Sequence, residues 1–381
     1  MKSAPYRFRY RVSVFEALLT AKGVGMTSDA AQKAPSPPGL DLGRVLPWFR
    51  EQVEPVESLT GRVIGHGRSN ITYRLESDGQ SWVLRRPPLS HVQATAHDMG
   101  REFRILSALA PTGFPAPKPV ALCQDPAVND APFYIMEYVD GLVPVDPNEV
   151  AKRFDDADRR RIGEELVDVL VRLHSFVPSE IGLDGFGKPQ GYLERQVRRF
   201  SDQLESIRTP DRETPELDEL ARRLPKAIPP ERAPGIVHGD YRLDNSILDG
   251  AGHIIAVLDW EMCTLGDSLA DLGVLQMYWS RGSSQEIAIA GTPVMALPGF
   301  PTWEEAAARY SEKSRHDLSG IDFYFVLAHF RLGVILENMH RRFLAGGTVG
   351  PGFELIGQNA RMLGQRGLAI ADASEIAALR G

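Results

Sequence analysis

Cysteine is nearly absent from this chain: Cys123 and Cys263 are the two present in 381 residues. Their separation fits neither a metal-ligand nor a redox spacing, which excludes a disulfide framework and a zinc module and leads to the expectation of a reducing, cytoplasmic setting. Long apolar runs are also missing. None approaches the about eighteen residues that a membrane-spanning helix requires, so no membrane partner is expected. The chain has no positive surplus, its formal net charge being −7, which excludes a general nucleic-acid binder. The deficit is uneven: residues 1–140 carry 16 Lys and Arg against 14 Asp and Glu, and residues 141–381 carry 27 against 36. An anionic phosphate donor suits the first part and a cationic acceptor the second. Carboxylates that merely solvate helix faces explain the same count.

What is present is an ordinary globular composition, 43% apolar and 24% charged, in a chain longer than one core usually supports. Two lobes are expected, 39–138 and 139–381, after a flexible extension at 1–38. That extension has four basic residues from Lys2 to Arg11 but no apolar segment with a cleavage site, so it does not read as a leader. Met26 is an alternative start.

In the first lobe a helical stripe spans 42–53, and strands are expected at 59–64, 71–75, 81–86, 120–123 and 132–139. A helix is expected at 98–109, ended by Pro111. Residues 65–70 form a small, polar hairpin tip. Backbone N–H groups at Gly65, Gly67, Ser69 and Asn70 can approach phosphates where no Cβ intervenes, with Arg68 either touching phosphate or sitting in solvent. The tip lacks the third glycine of a dinucleotide fingerprint and the Lys-Ser/Thr of a P-loop, so an ordinary turn is the competing reading. Strand 81–86 ends in two cations, Arg85 and Arg86, and Arg86 on the opposite pleat is expected to face outward.

Beyond residue 139 the pattern turns helical, with helices expected near 156–174, 191–207, 217–224, 303–314, 321–343 and 352–363. Asp156 or Asp158 is the expected cap of the first, and His174 a structural hydrogen-bonder at its end. Arg195, Arg198 and Arg199 form either a solvated face or a basic substrate-facing patch. Residues 280–302 are loop-rich and could line an acceptor pocket.

The chemistry is concentrated in residues 235–261, GIVHGDYRLDNSILDGAGHIIAVLDWE. Two β-like runs, 246–248 and 254–258, flank an Asp-Gly turn, a hairpin signal. Antiparallel pairing would bring Asn245 and Asp259 to one sheet edge. An amide oxygen and a carboxylate suit Mg²⁺, which takes hard oxygen ligands and completes its shell with water and phosphate. Asp240 is then free to hydrogen-bond an acceptor hydroxyl.

The stretches VLRRPP (83–88), PFYIMEYVDG (132–141), GYLERQVRRF (191–200), VHGDYRLDN (237–245) and DWEMCTLGDSLADLG (259–273) resemble the aminoglycoside phosphotransferase and choline kinase-like family. They are most similar to its subgroup found fused to, or encoded beside, acyl-CoA dehydrogenases. The resemblance covers roughly 56–363 and implies an α+β, bilobal protein-kinase-like fold: a small antiparallel sheet with one key helix, then a mostly helical lobe. It implies a phosphotransferase using ATP or GTP with Mg²⁺, acting on a small-molecule alcohol. Asp240 is the implied catalytic acid/base, and Asn245 and Asp259 the implied metal ligands. Arg85 stands where the family's strand carries a phosphate-binding Lys, a change from a point charge to a planar fork. Glu102 is its implied partner, although an exposed Glu paired with Arg101 or Arg104 is the alternative. Met136, Glu137 and Val139 are implied contacts of the nucleotide base at the hinge. Asp271 is read as structural, by N-terminal charge and capping, and Glu261 and Asp267 as acceptor contacts. Two acceptors stay open, a polyamine alcohol and a hydroxy acid or hydroxyacyl thioester. A nucleotide-binding pseudokinase or scaffold is the reading from another class.

Overall fold

Residues 60–137 contribute a five-stranded antiparallel sheet ordered β1-β2-β3-β5-β4, with β1 Thr60–Ile64, β2 Ile71–Ser77, β3 Gln80–Arg86, β4 Pro119–Cys123 and β5 Phe133–Glu137. The computed structural model describes residues 36–64, 70–89, 98–279, 293–314, 316–346 and 355–381. Successive strand residues point to opposite faces, and each face of this sheet is covered. On one, Tyr73, Leu75, Leu84, Phe133 and Ile135 pack with Val45 and Phe49 of helix α1, Leu42–Gln52. On the other, Val83, Tyr134 and Met136 join Met99, Ile105, Leu106 and Leu109 of helix α2, Met99–Leu109, in a core continuous with the second lobe. Asp98 caps α2 by accepting from Arg101 N at 3.0 Å.

This pleat decides where the two strand-end cations go. Arg85 lies on the Val83 face, toward α2. Arg86 does take the opposite face, but it is not outward: it is 5% exposed, donating to the carbonyls of Gly39 and Asn129. The expectation of an outward Arg86 failed because α1 and the chain leading into it roof that face.

Helix α3, Pro126–Asn129, links β4 to β5, and α4, Pro147–Arg153, follows the lobe boundary. The second lobe is built on α5 Asp156–Ser175, α6 Tyr192–Ser206 and α7 Pro215–Arg223. Two small strand pairs follow, β6 Gly235–Val237 with β9 Thr264–Gly266 and β7 Ser246–Leu248 with β8 Ile254–Val257. Helices α8 Leu269–Trp279, α9 Trp303–Ser314, α10 Asp322–Leu344, α11 Ile356–Ala373 and α12 Ala377–Arg380 complete it. The cap of α5 is Asp155 rather than Asp156 or Asp158; Asp158 is its reciprocal partner in a capping box.

The last long helix begins at Ile356 and runs to Ala373, ten residues beyond the expected end at 363. Ile356 and Leu363 are buried in its first half, but beyond residue 363 its buried residues are small: Gly364, Gly367 and Ala371. A Cβ at Gly367 would lie 2.7 Å from Leu220 and 3.3 Å from His329, so α11 seats directly on α7 and α10. Among the described residues no helix is long and apolar enough to cross a membrane.

His329 of α10 is buried, and its Nδ1–H donates to the Phe325 carbonyl at 2.8 Å. Burial pushes its pKa from the ordinary 6.5 down to about 4. The unfolded chain therefore takes up a proton that the fold resists, so this stabilisation is complete above about pH 6.5 and is lost as pH falls through about 4. The gap corresponds to about 3 kcal/mol. Melting temperatures measured from pH 6.5 down to 4 should fall more steeply for the natural chain than for His329→Gln; equal slopes would contradict this account.

Candidate active site

At the seam between the lobes one cation meets three carboxylates. Arg85 NH2 lies 2.7 Å from Asp259 Oδ1 and 3.4 Å from Glu261 Oε2, while its Nε lies 2.8 Å from Glu102 Oε2. The Nε contact is an ion pair whose N–H is not aligned for a hydrogen bond. Glu102 is 3% exposed and accepts from Asn70 Nδ2 at 2.6 Å and from the Tyr134 hydroxyl at 2.9 Å. Asn70 Nδ2 also reaches Glu261 Oε2 at 3.1 Å. Burial opposes the Arg85 charge, but the charges of Glu102, Asp259 and Glu261 outweigh it and raise the guanidinium pKa above its ordinary value. Burial also pushes the Glu102 carboxyl up, against the pull of Arg85 and the Tyr134 hydroxyl.

Arg101 and Arg104, the alternative partners of Glu102, are occupied elsewhere. Arg101 donates to the carbonyls of Phe186 and Cys263 and lies 4.1 Å from the Phe186 ring centroid; Arg104 donates to Asp184 O at 2.5 Å. These bonds tie α2 to the second lobe.

On the other side of the seam the hairpin register pairs Ser246 with Val257, and Leu258 N donates to Asn245 O at 2.8 Å. Asn245 and Asp259 thus emerge at one edge. Asn245 Nδ2 donates to both Asp240 O and Asp240 Oδ2, each at 2.9 Å. Both acceptors being oxygen, the amide nitrogen must face Asp240, which leaves the amide oxygen for another ligand. Asp240 Oδ2 also accepts from Arg242 Nε at 3.2 Å, and among the described residues Oδ1 takes no hydrogen bond. Arg242 is held by Asp244 at 2.6 Å and lies 4.9 Å from the Tyr278 ring centroid. This braced arginine, two residues past Asp240, went unread in the sequence although its spacing was visible.

His238 joins the parts of the site. Its Nε2–H donates to Leu258 O at 3.0 Å, and its Nδ1 accepts from Asp240 N at 3.3 Å. Asp271 accepts from His238 N at 2.6 Å and Gly239 N at 2.7 Å. Gly239 has φ +89, and a Cβ there would meet Met262 O at 2.9 Å, so the loop takes no side chain at this position. Asp259 is itself left-handed at φ 65, uncommon for a residue with a side chain.

Gly65, Gly67, Arg68 and Ser69 lie outside the described residues, as do 280–292 of the loop-rich segment and the extension up to residue 35. At the hinge, Glu137 N donates to Lys118 O at 2.9 Å, Met136 is buried, and Val139 lies just past β5. Leu142 exchanges two 2.8 Å hydrogen bonds with Leu248, fastening the hinge segment to the hairpin. Glu261, expected toward the acceptor, is turned to Arg85 and Asn70. Asp267 is buried, accepts from the Tyr324 hydroxyl at 2.6 Å and Leu269 N at 3.1 Å, and borders a cavity of about 370 Å³ with Arg232. Among the described residues no three His, Cys, Asp or Glu side chains form a metal cage. The oxygens of Asn245 and Asp259 nevertheless fit Mg²⁺, which is held by few protein oxygens plus substrate phosphates.

A small antiparallel sheet above a helical lobe, with Asp240, Asn245 and Asp259 at the seam, defines a bilobal kinase-like α+β protein. The chain belongs to the phosphotransferase enzyme family, which it matches over residues 60–307. It is similar to acyl-CoA dehydrogenase family member 11 of Gallus gallus, at 30% identity over 344 residues, 87% of this chain and 42% of that protein. Member 10 of Mus musculus is 35% identical over 285 residues, 74% of this chain and 26% of that one. The chain therefore spans less than half the length of these relatives. Among solved structures, a candidate aminoglycoside phosphotransferase from Ralstonia eutropha JMP134 has TM-score 0.76 and 33% identity over 88% of this chain and 99% of its own. Choline kinase from Cryptosporidium parvum Iowa II shares the fold, with TM-score 0.59 at 14% identity over 89% and 99% of the two chains.

Because Glu102 is buried, deleting its cation leaves an uncompensated charge, which costs about 3–5 kcal/mol. Arg85→Ala should lower stability to chemical denaturation by that order, and Arg85→Met with Glu102→Gln should recover most of it. A double variant no better than the single one would rule out the buried pair as the cause.

Proposed function

We propose that this chain is a small-molecule kinase that moves the γ-phosphoryl group of ATP or GTP to an acceptor hydroxyl. The observation that carries this is Asp240: Asn245 and Arg242 fix its Oδ2, while Oδ1 takes no bond from the described residues. A carboxylate oriented through one oxygen suits it to accept a hydroxyl proton through the other. Asn245 and Asp259 would hold Mg²⁺, which when bound neutralises phosphate charge. Arg85 would supply a cation for the donor phosphates, with Glu102 and Asn70 holding that side of the site. The carbonyl of Glu137 and the N–H of Val139 would meet the nucleotide base, with Met136 behind it. Proton loss to Asp240 and attack by the acceptor oxygen on the γ-phosphorus release the nucleoside diphosphate. Catalysis here is positioning and charge stabilisation.

For the acceptor, the similarity to acyl-CoA dehydrogenase family members 10 and 11 favours a hydroxy acid or hydroxyacyl thioester over an aminoglycoside. Arg198 and Arg199 are exposed, and an anionic acceptor would draw on them only if they face the cleft, whereas Arg195 donates to the carbonyls of Gln190 and Lys188.

Labelled ATP and GTP with Mg²⁺, tested against aminoglycosides, small hydroxy acids and hydroxyacyl thioesters, should reveal transfer to at least one class. Asp240→Asn should then lower kcat by about 10²–10⁴-fold. Undiminished turnover by that variant would defeat the assignment of Asp240, and no transfer to any acceptor would favour the pseudokinase.

A further inference from the structure

Asp271 is fully buried and holds the catalytic loop by the backbone of His238 and Gly239. A buried carboxylate with this task needs its remaining lone pairs satisfied. It receives His174 Nε2 at 3.2 Å, and the chain of contacts continues: His174 Nδ1 lies 2.7 Å from the Tyr310 hydroxyl, which lies 3.0 Å from His316 Nδ1. The direction of each bond follows from the first once His174 is taken to carry a single ring proton. A carboxylate only accepts, so His174 carries its proton on Nε2. Neutral His174 then accepts at Nδ1, so the Tyr310 O–H donates to it, and the Tyr310 oxygen accepts from a proton on His316 Nδ1. Tyr310 is fully buried on α9, and His316 is half-buried in the turn beyond it.

We propose that Tyr310 and His316 are positioning residues for phosphoryl transfer: by fixing the His174 tautomer they fix the Asp271 carboxylate and thereby the loop that carries Asp240. The catalytic part of this statement rests on the kinase reading above; the hydrogen-bond chain does not. Neither residue touches the reacting atoms. Their effect belongs to kcat, because the contacts expected for the donor lie on the first lobe and the seam.

The test compares Tyr310→Phe, His316→Ala and His316→Asn. Asn places an N–H donor near the position of the imidazole Nδ1, so it should restore what Ala removes. Tyr310→Phe and His316→Ala should each lower kcat roughly 3- to 30-fold, with nucleotide KM within about twofold, and His316→Asn should return to within about twofold of the natural chain. Nitrogen-15 NMR of labelled histidine should find His174 protonated at Nε2. The His238 and Gly239 amide signals should shift in Tyr310→Phe and His316→Ala and return in His316→Asn. His174 protonated at Nδ1, or unmoved loop amides in both disrupting variants, would overturn the proposal even if no acceptor were known. Unchanged kcat with moved amides would also overturn it. Absent transfer by the natural chain would count against the kinase reading alone, leaving the amide and tautomer results to decide the chain.

Discussion

The Arg85 guanidinium is the contact on which the site depends, because it brings together three carboxylates from two distant segments. Glu102 comes from α2, and Asp259 and Glu261 from the segment after β8. Each ion pays a desolvation penalty at the seam, and a single attraction does not repay it reliably. Arg85 answers with several edges of one planar group, Nε toward Glu102 and NH2 toward Asp259 and Glu261, a division that a lysine point charge cannot make. Asn70 and Tyr134 satisfy Glu102 from the remaining directions. The replacement of the expected lysine thus belongs to a site in which the cation must also hold the lobes in register.

A second buried charge, of opposite sign, organises the loop that carries Asp240. Asp271 accepts the N–H groups of His238 and Gly239, and His238 in turn reaches Leu258 O and the Asp240 backbone N–H. Loop, hairpin and helix α8 are therefore joined by bonds to fixed backbone atoms. That rigidity lets Asn245 and Arg242 hold one Asp240 oxygen while the other takes no hydrogen bond among the described residues. The left-handed Asp259 belongs to the same constraint, since it turns the chain out of β8 within one residue of the Leu258–Asn245 bond.

Which residues would meet was largely legible where spacing and period reported it. The alternation in 81–86 separates Arg85 from Arg86, and the Asp-Gly turn sets Asn245 beside the exit of β8. Legibility ended where a neighbour distant in sequence decided the outcome. Arg86 is buried because α1 and Asn129 cover its face, a contact that strand alternation does not encode. The end of α11 is not legible from a large apolar stripe because its buried positions past Leu363 are Gly364, Gly367 and Ala371, and Gly364 and Gly367 bring the backbone against α7 and α10. His174 was readable as a hydrogen-bonder but not as part of a chain, since its partners Asp271 and Tyr310 lie 97 and 136 residues away.

Net charge is the coarsest of the sequence arguments, and the structure explains why. The acidic surplus of 141–381 suggested a cationic acceptor, yet many of these carboxylates are consumed where they stand. Asp168 takes Arg309 at 2.7 Å and Lys313 at 2.6 Å, Glu219 takes Arg222 and Arg223, and Glu337 takes Arg212 through both oxygens at 2.8 Å. Asp267 is buried against Tyr324, and Asp271 is spent on backbone. Around Asp240 the balance differs, because Arg242 stands against it and Arg85 against Asp259. The field that an acceptor meets is set by these few unevenly paired groups, since exposed ion pairs are screened within about 10 Å. Substrate charge is therefore better inferred from the partners of Asp240 than from the sign of the lobe.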